Sequence, residues 1–294
     1  MALKYLVTGA SGQLGALVIE ALLKTEAPGS IGALVRRPEA AAALEAWGVT
    51  VRMGDYTDAA SLRAAFEGVE RLLLISSNAV GDREAQHRVA IASAVEAGVG
   101  FVAYTSILRA TESPLTILPS EHVATERALA ESGLRYAVLR NGWYTENYVM
   151  GAETAVGLGA LYGAAGEGRI SGAARRDYAE AAATVLRGVL PESGRVFELA
   201  GDESFTLTEF AAEMSAISGK TVPYVALDEA GYAAALEGAG LPGPVAAMLA
   251  DSDRGASEGG LYSEDRTLSR LIGRPTTGWR ETLRAGMRPE VAAG

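Results

Sequence analysis

The chain contains no cysteine. That excludes disulfides, thiolate nucleophiles and thiolate-bound metals. It has only two histidines, His87 and His122, too few for a histidine metal cluster. Positive charge is scarce as well. Lys and Arg number 26 against 36 Asp and Glu, a net charge of −10. A surface of that sign is a poor match for nucleic acid or an anionic membrane. No apolar run is long enough to cross a bilayer. The N-terminal apolar stretch is broken by Gly9, unlike the continuous apolar core of a signal peptide. These absences point to a soluble cytoplasmic protein with a small-molecule partner, monomeric or homodimeric, without metal.

What is present suits a sizeable core, since 49% of the 294 residues are hydrophobic. Short apolar runs alternate with helical patterns through residue 140. Strands are expected at Leu3–Thr8, Ile31–Val35, Val49–Met53, Arg71–Ile75, Gly100–Thr105 and Tyr136–Leu139. Helices are expected between them, at Leu14–Lys24, Glu39–Trp47, Ala59–Phe66, Glu84–Ala97 and Glu121–Ser132. Continuous rather than alternating apolar strands belong to a parallel sheet covered on both faces. Repeated βα units with short loops give an α/β fold with a doubly wound, Rossmann-like parallel sheet. After Asn141 the rhythm changes. Residues 157–172 are rich in Gly and Ala, and helical patterns dominate to the end. We expect a nucleotide-binding domain over 1–150 and a smaller, mainly helical substrate region over 151–294, together one compact unit.

The most informative segment is Tyr5-Leu-Val-Thr-Gly-Ala-Ser-Gly-Gln-Leu-Gly15. A strand runs into a turn with glycines at 9, 12 and 15, and a helix follows. Gly9 permits the sharp turn, Gly12 lets a pyrophosphate approach the backbone, and Gly15 lets helix pack on strand. The helix start offers unpaired N–H groups and a positive dipole end to phosphate. A glycine triplet alone is weak evidence, but the strand–turn–helix context makes it a dinucleotide site formed by Gly9, Ala10, Ser11, Gly12, Gln13, Leu14 and Gly15.

An acidic residue ending the second strand selects NAD, and an arginine there accommodates the 2′-phosphate of NADP. Here the strand ends in Arg36-Arg37. A guanidinium binds a phosphate dianion bidentately, so NADPH is expected, with Arg36 as the contact. Asp55-Tyr56 follows the third strand, where the carboxylate can accept the adenine amino group and the ring can lie beside the base. Asp55 is also a good helix cap, as are Thr57 and Asp58. Ser76-Ser77 ends the fourth strand, on the edge where ligands bind, and leaves room for ribose and nicotinamide.

These residues resemble the NmrA-like branch of the atypical short-chain dehydrogenase/reductases. Further segments narrow the resemblance: Leu-Leu-Leu-Ile-Ser-Ser77, Tyr-Thr-Ser106, Leu-Arg-Asn-Gly-Trp-Tyr-Thr-Glu-Asn-Tyr148, Gly163-Ala-Ala-Gly-Glu-Gly168, Phe-Glu-Leu-Ala-Gly-Asp202 and Met248-Leu-Ala-Asp-Ser-Asp-Arg-Gly-Ala-Ser257. Together they are similar to the bacterial type 2 NADPH:quinone oxidoreductases, whose relatives include triphenylmethane reductases. The resemblance spans essentially the whole chain. It implies a Rossmann domain, NADPH, no flavin and direct two-electron reduction of quinones.

Short-chain dehydrogenases usually carry a catalytic YxxxK on the helix after strand five. Here that helix reads Ser120-Glu-His-Val-Ala-Thr-Glu-Arg-Ala-Leu129 and has neither residue. His122 and Glu126 stand four apart on one face, near where that pair would be. A ketone needs an acid to protonate its oxygen. A quinone, whose reduced form gains aromaticity, needs less help. His122 is a candidate proton donor or pocket wall, and Ser106 occupies the family's substrate-orienting position beside the cofactor. Asn141-Gly-Trp-Tyr144, with Asn147 and Tyr148, forms an aromatic platform for a flat ring. Asn141, Gly142, Trp143 and Tyr144 are thus assigned to substrate, with Asn141 and Tyr144 also as catalytic candidates. Arg175 is expected to reach the site, and Gly163–Gly168 reads either as a mobile flap or as a surface loop. Two other readings stay open. One is an NmrA-like sensor that binds NADP without turnover. The other is a reductase of cationic triarylmethane dyes.

Overall fold

The computed structural model describes residues 3–287. The last seven residues of the expected C-terminal region lie outside the described residues. The first half of the chain runs β1 (Leu3–Val7), α1 (Gln13–Leu23), β2 (Ile31–Val35), α2 (Ala41–Glu45), β3 (Thr50–Met53) and α3 (Ala59–Phe66). It continues through β4 (Val69–Leu74), α4 (Arg83–Glu96), β5 (Phe101–Ile107), α5 (Ile117–Glu131) and β6 (Tyr136–Asn141). Then follow α6 (Glu146–Val149), α7 (Ala152–Leu158), β7 (Leu161–Gly163), α8 (Arg175–Arg187), β8 (Arg195–Leu199), α9 (Leu207–Ser218) and β9 (Tyr224–Ala226). Four helices complete the described chain: α10 (Glu229–Gly238), α11 (Gly243–Ser257), α12 (Thr267–Ile272) and α13 (Trp279–Gly286).

The chain divides into two units. The first holds residues up to 111 together with 119–141 and 175–199, and the second holds 112–118, 142–174 and 200 onward. The division is not a single cut at residue 150, because α8 and β8 return to the first unit. The physical reason is edge pairing. β8 lies parallel to β6, with Val138 opposite Val196 and Leu139 opposite Phe197, and completes the sheet.

The first unit is a seven-stranded parallel sheet in the order β3-β2-β1-β4-β5-β6-β8. The order reverses between β1 and β4, the topological switch point where a doubly wound fold binds dinucleotides. One face packs Leu62 and Phe66 of α3, Ile91 and Ala94 of α4, and Ala128 and Leu129 of α5 onto Leu6, Leu72, Val102 and Val138 of the strands. α1 and α8 pack against each other and onto the strands as well. Burial on both sides explains the unbroken apolar strands.

The second unit is mainly helical, as expected, with one addition. β7 and β9 form a two-stranded parallel sheet, Leu161 opposite Tyr224 and Gly163 opposite Ala226. The Gly/Ala-rich composition of 157–172 conceals β7. Phe205, Phe210 and Trp279 form the unit's aromatic core, with Trp279 5.0 Å from Phe205 and 5.7 Å from Phe210 between centroids. No helix among the described residues is long and apolar enough to cross a membrane.

Candidate active site

The phosphate turn has the geometry its glycines require. Gly9 sits at φ +58, a left-handed conformation that costs a side-chain-bearing residue free energy. A Cβ on Gly15 would stand 2.3 Å from the Gly9 carbonyl oxygen, so only glycine lets α1 approach the turn. Gly12 is the N-cap of α1 and no side chain caps that helix. Ser11, Gly12 and Gln13 are exposed, whereas Ala10, Leu14 and Gly15 are buried beneath them. An uncapped helix start at an exposed glycine turn has the geometry that suits an anion such as a phosphate.

Arg36 leaves the end of β2 with its side chain 70% exposed and its Nε 3.9 Å from Asp55 Oδ2. That contact is loose and solvated, so the guanidinium is available to a phosphate. Asp55 accepts from the Thr57 N–H at 2.8 Å and the Thr57 hydroxyl at 2.7 Å. These bonds hold its carboxyl below the usual range. Helix α3 is capped by Asp58, whose carboxylate accepts from the Ala60 and Ser61 N–H groups. Asp55 is therefore spared that task. The Tyr56 hydroxyl is hydrogen-bonded to Thr8 Oγ1 and to the Ile75 carbonyl, which ties the ends of β1 and β4 together.

The face of α5 that replaces YxxxK is fully committed inside the first unit. His122 is buried, and its Nδ1 lies 2.7 Å from the Tyr104 hydroxyl on β5. Burial, and then the charge of Arg83, hold its pKa well below the usual value. At neutral pH this imidazole is uncharged, so no imidazolium stands there to donate a proton. Glu126 accepts from Ser106 Oγ at 2.6 Å and from Arg140 Nη2 at 2.7 Å. Arg140 also pairs with Glu198, at 2.9 Å. Glu198 in turn accepts from the backbone N–H of Arg109, which has φ +54. This chain of charges across β5, β6 and β8 was invisible in the sequence, because its members lie up to 92 positions apart only when counted along the chain from Ser106 to Glu198. Asn141 is buried at the end of β6, where its backbone carbonyl accepts from the Leu108 N–H at 2.9 Å. Arg175 opens α8 and is half-buried.

In the second unit, residues 143–145 pair with the strand-like backbone at 173. Thr145 N–H donates to the Ala173 carbonyl at 3.0 Å, and Ala173 N–H to the Trp143 carbonyl at 3.3 Å. Gly142 and Trp143 are buried, and Tyr144 and Asn147 are half-buried. Trp143 is thus chiefly a packing residue, and Tyr144 is the ring of the pair with accessible surface. Tyr148 is tied internally, its hydroxyl donating to Asp253 Oδ1 at 2.8 Å and its ring meeting Phe205 edge to face.

The Gly163–Gly168 segment is fastened down. Ala164 N–H donates to Asp253 Oδ2 at 2.9 Å, and Gly166 N–H donates to the Tyr224 hydroxyl at 3.1 Å. A Cβ on Gly168 would meet the Ala256 carbonyl oxygen at 2.2 Å, so the segment lies flat on α11. Both carboxylates of Ala250-Asp-Ser-Asp253 are structural. Asp251 accepts from the N–H groups of Thr116 and Ile117 and so caps α5, while Asp253 joins Tyr148 to Ala164. Burial pushes the Asp253 carboxyl up to about 6. Among the described residues no group of three or more His, Asp or Glu is placed to hold a metal.

With that geometry established, likeness to known proteins decides the family. Residues 9–187 match the NAD(P)H-binding family. The chain is 54% identical to quinone oxidoreductase 2 of Escherichia coli over 277 residues, 94% of this chain and 96% of that one. The chain belongs to this NAD(P)H-binding family. Its branch holds the type 2 quinone oxidoreductases and the triphenylmethane reductases. The crystal structure of the Escherichia coli NADPH-dependent quinone oxidoreductase complexed with NADPH matches with a TM-score of 0.93 at 53% identity, covering 97% of this chain and all of that one. Triphenylmethane reductase of Citrobacter sp., complexed with NADP(H), matches with a TM-score of 0.91 at 36% identity over 97% of this chain and all of that one.

Proposed function

We propose that this protein is an NADPH-dependent quinone reductase. The observation that carries this reading is the internal commitment of α5: His122 is neutral and bonded to Tyr104, and Glu126 is paired with Arg140. Neither group is poised to protonate an isolated ketone. An acceptor that takes a hydride without acid assistance is the chemical match, and a quinone is such an acceptor. The 54% identity to a quinone oxidoreductase points the same way.

Bound NADPH supplies the hydride, and quinone, NADPH and one proton become hydroquinone and NADP+. The phosphate turn Gly9–Gly15 receives the pyrophosphate, and Arg36 receives the 2′-phosphate. Asp55 is placed for the adenine amino group. The β4 exit at Ser76-Ser77 borders the nicotinamide half. On the substrate side, Tyr144 supplies an aromatic surface and Asn147 a hydrogen-bonding amide for a flat, weakly polar ring. Trp143, buried, serves as a packing residue rather than as a stacking surface. The proton comes from solvent, since His122 is neutral and Glu126 is ion-paired with Arg140. The protein's contribution is proximity and orientation rather than acid–base chemistry.

The test is anaerobic NADPH oxidation by dialysed protein with no added flavin, against quinones, ketones and a triarylmethane dye. Quinones are expected to turn over and ketones to stay unreacted. Tight NADPH binding without reduction of any acceptor would replace this reading with a nucleotide-sensing one.

A further inference from the structure

The backbone just past β4 is built by side chains. Ile75, Ser76 and Ser77 have no regular structure, yet each N–H is satisfied. Ile75 N–H donates to Thr8 Oγ1 at 2.8 Å, and Ser76 N–H donates to Thr105 Oγ1 at 2.9 Å. Ser77 is gripped by one face of α4. Its N–H donates to His87 Nε2 at 2.9 Å, its carbonyl accepts from Arg83 Nε at 2.6 Å, and its hydroxyl donates to Gln86 Oε1. Positions 83, 86 and 87 follow the helical spacing that places side chains on one face.

A second layer fixes the first. Arg83 pairs with Glu121 at 2.8 Å, and both side chains are nearly buried. The other Glu121 oxygen accepts from the Gly81 N–H. His87 is fully buried, its Nδ1 2.8 Å from Thr125 Oγ1, and that hydroxyl donates to the Glu121 carbonyl. The bonding sets the tautomer. Nε2 must accept from Ser77, so the proton sits on Nδ1 and points at Thr125. Burial, and then the Arg83 charge, push the imidazole down to about 3, which keeps Nε2 an acceptor at neutral pH.

We propose that His87 is a positioning residue for the nicotinamide half of the cofactor, acting by holding the Ser76-Ser77 backbone in one conformation through its Nε2. Strand order supports the assignment to that half. The glycine turn and Arg36 belong to β1 and β2, on the adenine side of the switch point. β4 begins the opposite mononucleotide half. A loop without regular structure costs conformational entropy to order when a ligand binds. Ordering it in advance by bonds to a buried imidazole and an ion-paired arginine removes that cost from binding. The inference rests on the NADPH reading above.

The experiment compares two ligands on the intact protein by direct titration, with thermal stability measured alongside: NADPH, and adenosine 2′,5′-bisphosphate, which carries only the adenine half. His87→Leu removes the acceptor while keeping similar volume. His87→Gln restores an acceptor through its amide oxygen. In His87→Leu the NADPH Kd is expected to rise about tenfold, the scale of one lost hydrogen bond, with the bisphosphate Kd unchanged within about twofold. His87→Gln is expected to recover most of the NADPH affinity. Thr125→Val, which frees Nδ1 of its partner, is expected to show the same pattern more weakly and serves if His87→Leu does not fold. An unchanged NADPH Kd in folded His87→Leu, or in Thr125→Val if His87→Leu does not fold, overturns the proposal. So does equal weakening of both ligands in every variant, which marks a purely structural role. Wild-type protein that binds neither ligand overturns the NADPH reading itself.

Discussion

Replacing Gly15 by alanine tests the phosphate turn most directly. The added Cβ would lie 2.3 Å from the Gly9 carbonyl oxygen, 2.8 Å from Ala10 Cα and 2.9 Å from the Gly9 carbonyl carbon. Contact separation is about 3.5 Å, so the overlap is about 1 Å. The atoms met are backbone of the turn, not the ends of side chains that can swing away. α1 must therefore retreat from the turn by about that distance. Overpacking of this kind costs ~1–3 kcal/mol, against ~1 kcal/mol returned by the better helix propensity of alanine. The net stability loss is about 0–2 kcal/mol, read from urea denaturation. Binding suffers further, because the first-turn N–H groups of α1 withdraw from the phosphates. Loss of one charge-assisted hydrogen bond is worth ~1.5–3 kcal/mol, an increase in NADPH Kd of about tenfold to 150-fold in a fluorescence titration. Gly29→Ala is the control, since a Cβ there meets nothing within 4 Å. It is expected to leave both quantities unchanged. A Gly15→Ala protein as stable as wild type, with undiminished NADPH affinity, would refute the reasoning.

Four further outcomes are expected. Arg36→Ala weakens NADPH by about 1.5 kcal/mol, the low end for a charged hydrogen bond because the side chain is exposed, and leaves NADH unaffected; equal losses for the two cofactors contradict the 2′-phosphate assignment. Arg140→Met strands the Glu126 and Glu198 carboxylates and costs about 3 kcal/mol, while Arg140→Met combined with Glu126→Leu recovers part of it; a double variant no more stable than the single one rules the ion pair out as the cause. Asp253→Asn tests a pH effect. The folded carboxyl titrates near 6 and the unfolded one near 3.8, so its stabilising contribution is complete below about pH 4 and lost as pH rises through 6. Between pH 4 and 7 the wild type is expected to lose about 3 kcal/mol relative to Asp253→Asn, and parallel stability curves would exclude it. Tyr144→Ala lowers kcat/KM for quinones with NADPH affinity held within a few fold, and wild-type turnover in this variant moves the platform elsewhere.

The sheet was legible in the sequence because its strands are covered on both faces and so read as unbroken apolar runs. Ile31–Val35 announces itself this way, as does the Leu72–Leu74 run of β4, whose strand starts two residues before the expected Arg71, and helix α3 lies where expected, at Ala59–Phe66. The phosphate turn was legible because local sterics demand glycine: Gly9 needs a left-handed backbone, and Gly15 sits where a Cβ collides. Both constraints act within a few residues, so they are written in consecutive positions. Arg36 was legible for the same reason, as the residue that leaves β2.

Tertiary structure decided what depends on partners far along the chain. Nothing near Asp253 in sequence foretells that it joins Tyr148 to Ala164, and these bonds tie down a segment that the sequence left open between a flap and a surface loop. β7 is too short and too rich in small residues to announce itself, and exists because β9 pairs with it. His122 and Glu126 look in sequence like a substitute catalytic pair. Folding places them against Tyr104, Ser106 and Arg140, where burial keeps one neutral and an ion pair occupies the other. His87 gave no motif at all, and acquires its part only when α4 lies along the exit of β4 and turns Nε2 toward the Ser77 backbone. Local backbone requirements are set by residue type, whereas the protonation and bonding of a polar side chain are set by what the fold packs around it.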